Sequence, residues 1–88
     1  MSQRQKLLAQ LLNTHNPANL DFASLVSLLV FPGFEQRVRG SHHLFTKTRI
    51  AEIINIQPAV GNSVKPYQAN QVRAVLVKYR AMLGLDTL

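Results

Sequence analysis

Leucines 7, 8, 11 and 12 fall on one side of a 3.6-residue period and predict a first helix. Ser2 and Gln5 stand ahead of it at capping-box spacing. A polar break from Asn13 to Asn19, carrying Pro17, stops this helix. Asp21 can then cap a second helix by accepting from its free backbone N–H groups. Leu20 and Leu25 have the spacing of a hydrophobic staple across that cap. Leu25, Val26, Leu28 and Leu29 give the second helix a wide apolar face, which ends at Pro32-Gly33 because a residue before proline is pushed out of helical geometry.

From Phe34 the period changes to two. Phe34, Gln36 and Val38 alternate with Glu35, Arg37 and Arg39, the pattern of a half-buried strand. Gly40 supplies a turn, Ser41 to Thr46 a second strand, and Lys47-Thr48-Arg49 a second connection. Ala51 to Gln57, rich in β-branched isoleucine, is the third strand. Connections this short imply an antiparallel meander. Pro58 to Lys65 reads as a loop. Pro66 suits the first turn of a last helix, along which Val72, Val75, Leu76, Tyr79 and Leu83 recur before Gly84. The expected order is helix, helix, three strands, helix. Three strands need one face covered, and the second and last helices have the stripes to cover it. The expected class is α+β, with the other sheet face left to a partner.

The chain of 88 residues suits one domain, with residues 1–20 as a helical extension and linker and 21–84 as the core. There is no cysteine, which removes disulfide and thiolate chemistry and fits a cytoplasmic setting. The longest apolar run, Leu25 to Phe31, is too short to span a bilayer, and Met1 to Lys6 carries no secretory pattern, so no membrane partner is expected. Charge changes the picture more. Ten Lys and Arg against four Asp and Glu give a formal net charge of +6. Arg37, Arg39, Lys47, Arg49, Lys65, Arg73, Lys78 and Arg80 crowd the stretch from Phe34 to Arg80, opposed within it only by Glu35 and Glu52. Such a surface attracts polyanions, nucleic acid above all.

The chemistry-bearing residues are His42 and His43, directly after the Gly40 turn. An unperturbed imidazole exchanges a proton near neutral pH. RNA cleavage needs a base for the attacking hydroxyl, an acid for the leaving oxygen, and positive charge at the phosphorane-like transition state. Neighbouring strand residues point to opposite faces, so the two histidines do not share one substrate atom. Taken alone, a histidine pair in a strand is more often plain strand sequence than a catalytic site. Alternation leaves open which histidine faces the helices. Asn55 and Gln57 share a face as well, either as RNA contacts or simply as the solvent side of their strand. The remaining histidine, His15, is remote in sequence, and no carboxylate stands at ligand spacing, so no metal site is expected.

Gly33-Phe34, Arg39-Gly40-Ser41-His42-His43-Leu44-Phe45, Glu52 to Pro58, Lys65-Pro66-Tyr67-Gln68 and Gln71-Val72-Arg73, in this order over nearly the whole chain, resemble the HicA family of bacterial toxins. The resemblance implies a fold like the double-stranded-RNA-binding domain, cleavage of messenger RNA, and a HicB-like antitoxin that masks the site. It implies that the histidine after Gly-Ser, His42, is the catalytic one. Arg37, Arg39, Gly40, Ser41, Lys47, Lys65 and Arg73 are the expected RNA contacts. No metal or organic cofactor is implied. The chain departs from the family at Thr48-Arg49, where glycine is usual, and at Pro32, which is expected to shorten the second helix. A non-catalytic RNA-binding module and a protein-interaction domain are the alternative readings of the same charge and fold.

Overall fold

The computed structural model describes residues 3–13 and 20–85. Ser2 of the capping box, Pro17 of the polar break and His15 lie outside them. The chain runs α1 (Gln3–Asn13), β1 (Leu20–Asp21), α2 (Phe22–Val30), β2 (Glu35–Arg39), β3 (His42–Lys47), β4 (Ile50–Ile56), β5 (Ser63–Val64) and α3 (Pro66–Lys78). This is an α+β fold of three helices and a three-stranded antiparallel sheet in the order β2-β3-β4, with β1 and β5 forming a separate small ladder. Among the described residues no helix is long and apolar enough to cross a membrane.

α2 starts as its sequence demands. The Asp21 carboxylate accepts from the Ser24 backbone N–H and from its hydroxyl, both at 2.9 Å, while Leu20 and Leu25 are both buried behind the cap. The helix ends at Val30, two residues before Pro32. Gly33 then turns the chain with a φ of +111°, a conformation side chains avoid.

One face of the sheet is apolar. Phe45 pairs with Ile54, and both are fully buried with Ile56, against Leu25, Leu28 and Leu29 of α2 and Val72 and Leu76 of α3 in one core. α1 belongs to that core. Leu8 and Leu11 are buried, and the Arg73 guanidinium of α3 donates to the Leu12 carbonyl at the end of α1, at 3.2 and 3.4 Å. A cation at the carboxyl end of a helix satisfies carbonyls that have no partner within the helix. On the other side, the Arg4 guanidinium lies 3.9 Å over the Phe31 ring, tying α1 to the end of α2.

The sequence patterns place the elements well and miss their edges. β3 and β4 are displaced by one residue from the expected spans, because the connecting turn is only Thr48-Arg49. Arg49 takes the left-handed conformation, φ +75°, that glycine usually fills, and the pairing register shifts between Phe45 and Lys47. The expected loop from Pro58 to Lys65 contains a 3-10 turn, Val60–Asn62, and β5. Two-residue strands are too short to carry a periodic signal. α3 stops at Lys78 rather than at Gly84.

β4 is an edge strand, and α3 seals it. The Asn55 N–H donates to Gln71 Oε1 at 2.8 Å and the Gln57 N–H to Gln68 Oε1 at 3.2 Å. Further along, Glu52 accepts from Lys78 Nζ at 2.8 Å and from the Tyr79 hydroxyl at 2.6 Å. These two bonds, the lysine's first, lower the Glu52 carboxyl from 4.5 to about 2. Side chains of α3 thus stand where a fourth strand would otherwise pair.

Candidate functional site

The β2–β3 hairpin closes through two residues, Gly40 and Ser41. Gly40 has φ +58° and Ser41 is not left-handed, the pattern of a type II′ turn that matches strand twist. A Cβ on Gly40 would meet no atom within 4 Å, so its backbone conformation rather than space calls for glycine. The turn fixes the register: Arg39 lies across from His42, Val38 across from His43, and Arg37 across from Leu44.

That register sorts the histidines. His43 sits on the helix side, paired with Val38 and Ile56. It is half-buried, and its ring meets Phe22 edge-on, with centroids 4.8 Å apart and planes at 71°. The Gln36 side-chain amide donates to His43 Nδ1 at 2.8 Å. His43 is thereby held as a packing residue. His42 is exposed on the opposite face, with Arg37, Arg39, Leu44 and Asn55. Its Nδ1 lies 3.2 Å from Asn55 Oδ1. An amide oxygen only accepts, so Nδ1 is the donor in this contact and Nε2 makes no part of it. The neighbouring histidines thus use Nδ1 in opposite ways, as a donor in His42 and as an acceptor in His43.

Asn55 pairs with Leu44 and so stands diagonal to His42, within reach of its ring. The next residue on this face, Gln57, accepts from the Ser41 hydroxyl at 3.1 Å. Asn55 and Gln57, the residue just after β4, are both fixed by the α3 glutamines on their backbone N–H groups. The site is thus built from turn, strand and helix together: α3 sets β4, and β4 sets Ser41 and His42.

The other residues singled out in the sequence are dispersed. Arg37 and Arg39 extend from β2 on the His42 face and are exposed. Lys47 does not join them. It is half-buried on the Phe45 side after the register shift, with Nζ 2.8 Å from where a Cβ on Gly33 would stand. Arg73 is engaged with α1, away from the sheet's open face. Lys65 precedes α3 and lines a shallow depression with Gln57 and Pro58, near the Ser41 end of the site. Tyr67, in the first turn of α3, is exposed, whereas Tyr79 is half-buried against Glu52.

The sequence signals Asn55 only by its alternation with Gln57. Its contact with His42 follows from the β3–β4 register, which the irregular turn at Thr48-Arg49 conceals. Among the described residues no three His, Cys, Asp or Glu side chains cluster as metal ligands do. No protein-family model, curated protein or solved structure matches the chain.

Proposed function

We propose that the chain is an RNA endonuclease of the HicA type, the toxin of a toxin–antitoxin pair, with His42 as its catalytic residue. The observation that carries this reading is the exposed His42 imidazole on a basic sheet face, held through Nδ1 by Asn55. In this reading Nε2 takes the proton from the attacking oxygen, whether a 2′-hydroxyl or water, and returns it to the leaving 5′-oxygen. Arg37 and Arg39 supply positive charge to the phosphorane-like transition state from the same face. Gly40 and Ser41 bring the phosphate backbone close, since the turn carries no bulky side chain. His43 takes no part in the chemistry.

The α+β layout, with helices on one side of an antiparallel meander, supports the expected likeness to the double-stranded-RNA-binding domain. A HicB-like antitoxin is the proposed protein partner. It would cover the His42 face, which no helix among the described residues covers, and the cytoplasm is the proposed setting.

The test is cleavage of end-labelled RNA by the purified chain and by His42→Ala, each with and without EDTA. New RNA ends from the wild type alone, unaffected by EDTA, are the expected result. Equal cleavage by His42→Ala refutes the catalytic assignment. Salt-sensitive binding without new ends in either protein assigns the chain as a non-catalytic RNA-binding module instead.

A further inference from the structure

Three of the chain's four acids are described, and two of them are engaged. Asp21 caps α2, and Glu52 is bonded to Lys78 and Tyr79. The third, Glu35, projects from the start of β2, and among the described residues its carboxylate has no ion pair or hydrogen bond. It stands on the open face with Arg37 and Arg39, where a negative charge weakens the attraction for every phosphate.

Glu35 also rims a depression of about 350 Å³ on that face, lined with it by Gln36, Arg37, Arg39, Leu44, Thr46 and Ile53. The floor is aliphatic. Leu44 is half-buried, and Ile53 is 60% exposed, a large apolar side chain turned to solvent. Leu44 follows His42 by two residues, about 7 Å along a strand, which is within the length of one nucleotide.

We propose that this depression binds a guanine base of single-stranded RNA beside the phosphate that His42 attacks. The assignment rests on the RNA-cleaving reading above and adds its substrate preference. A carboxylate offers acceptors only. Guanine presents two adjacent donors, N1–H and N2–H, on its Watson–Crick edge, whereas adenine, cytosine and uracil present one each. Glu35 therefore accepts a paired, charge-assisted set of bonds from guanine alone. Thr46, directly across from Glu35, adds a hydroxyl that can donate to the neighbouring O6. Leu44 and Ile53 lie against the face of the base, and Arg37 and Arg39 hold the flanking phosphates. Bases splayed out of single strands are read in this way, by edge contacts over an apolar platform.

A free guanine nucleotide carries the same chemistry, so the experiment includes it. Binding of the full chain is measured by fluorescence anisotropy with 2′-O-methyl heptanucleotides of adenosine bearing one central G, A, C or U. These lack the attacking hydroxyl and stay intact during the titration. The G oligonucleotide is expected to bind about 5-fold or more tightly than the other three. Glu35→Gln keeps the shape of an exposed side chain, and it is expected to retain binding while reducing the preference to within about 2-fold. Equal affinity of the wild type for all four, or a guanine preference that survives Glu35→Gln, overturns the subsite and leaves cleavage by His42 standing. Displacement by guanosine monophosphate as effective as by the G oligonucleotide overturns RNA as the ligand. Absence of binding to any oligonucleotide removes the RNA reading together with the subsite.

Discussion

Gln68 and Gln71 perform the same task at the edge of β4, yet their removal has unequal cost. Gln68 is 6% exposed, and its amide oxygen is the acceptor for the Gln57 N–H. Substitution by methionine keeps the unbranched length and removes the acceptor. The stranded N–H costs about 1–3 kcal/mol. The methionine tip returns about 0.8 kcal/mol of apolar burial. Gln68→Met is therefore expected to destabilise by about 1 kcal/mol net. For a domain of this size that is a fall in Tm of about 4–8 °C. Gln71 makes the shorter bond, 2.8 Å to the Asn55 N–H, but it is exposed. Water replaces it there, and Gln71→Met is expected to cost about 0.5 kcal/mol or less. Thermal and urea unfolding measure both. Amide exchange adds a local readout, since the Gln57 N–H should lose protection in Gln68→Met while the buried β3 amides keep theirs. Equal losses at the two positions, or a Gln68→Met protein as stable as wild type with a protected Gln57 amide, would refute the account of α3 as a substitute strand.

Asp21→Ala removes the acceptor at the start of α2 and should cost about 1 kcal/mol in urea unfolding, with an unchanged m-value. Arg49→Gly should stabilise by about 0.5–1 kcal/mol, because relief of the left-handed strain at φ +75° exceeds the entropy that glycine adds to the unfolded chain; a loss of stability would mean that the Arg49 side chain contributes more than its backbone costs. Glu52 is held below its ordinary value by Lys78 and Tyr79, so its contribution is present above pH 4.5 and is lost as the pH falls toward about 2. Glu52→Gln should accordingly lower the urea midpoint near neutral pH and match the wild type at the acid end of that window, and a gap independent of pH would show that the charge is not the cause. On the proposed RNA-cleaving reading, Asn55→Ala should leave the fold intact and reduce cleavage without abolishing it, by freeing the His42 ring to rotate; full activity in the variant would remove Asn55 from the site.

The helices and the three long strands are legible in the chain because each carries its own period. Leu20, Asp21 and Leu25 mark the start of α2 as clearly in the sequence as in the fold. Lys47 shows the limit of alternation. Counted from His42 it is an odd step, which places it with His43 and Phe45, and only the charge pattern suggested grouping it with Arg37 and Arg39. Arg73 shows a related limit. A helical wheel separates it from the apolar stripe, but nothing in the sequence shows that the carboxyl end of α1 comes to rest against that side of α3. The split of the histidine pair followed from strand geometry. Which of the two faces the helices depends on the packing of Phe45, Ile54 and Ile56 against α2 and α3, a long-range fact that alternation within one strand does not carry.

The sealing of β4 leaves the sheet lopsided. β2 has a neighbour on one side only among the described residues, and every residue in it is exposed. A bare edge of this kind is a template on which further copies of a chain can polymerise. Here it carries arginine at two alternate positions, so two copies aligned in parallel, with Arg37 facing Arg37 and Arg39 facing Arg39, would bring like charges together, whereas antiparallel alignment about Arg37 sets Arg39 against Glu35. The two cations that the RNA reading assigns to phosphate therefore also oppose parallel, in-register growth from this edge. Charge-neutralising changes at Arg37 and Arg39 would then have a second effect in storage and expression, which is the loss of a guard against fibre-like growth of that kind from the β2 side.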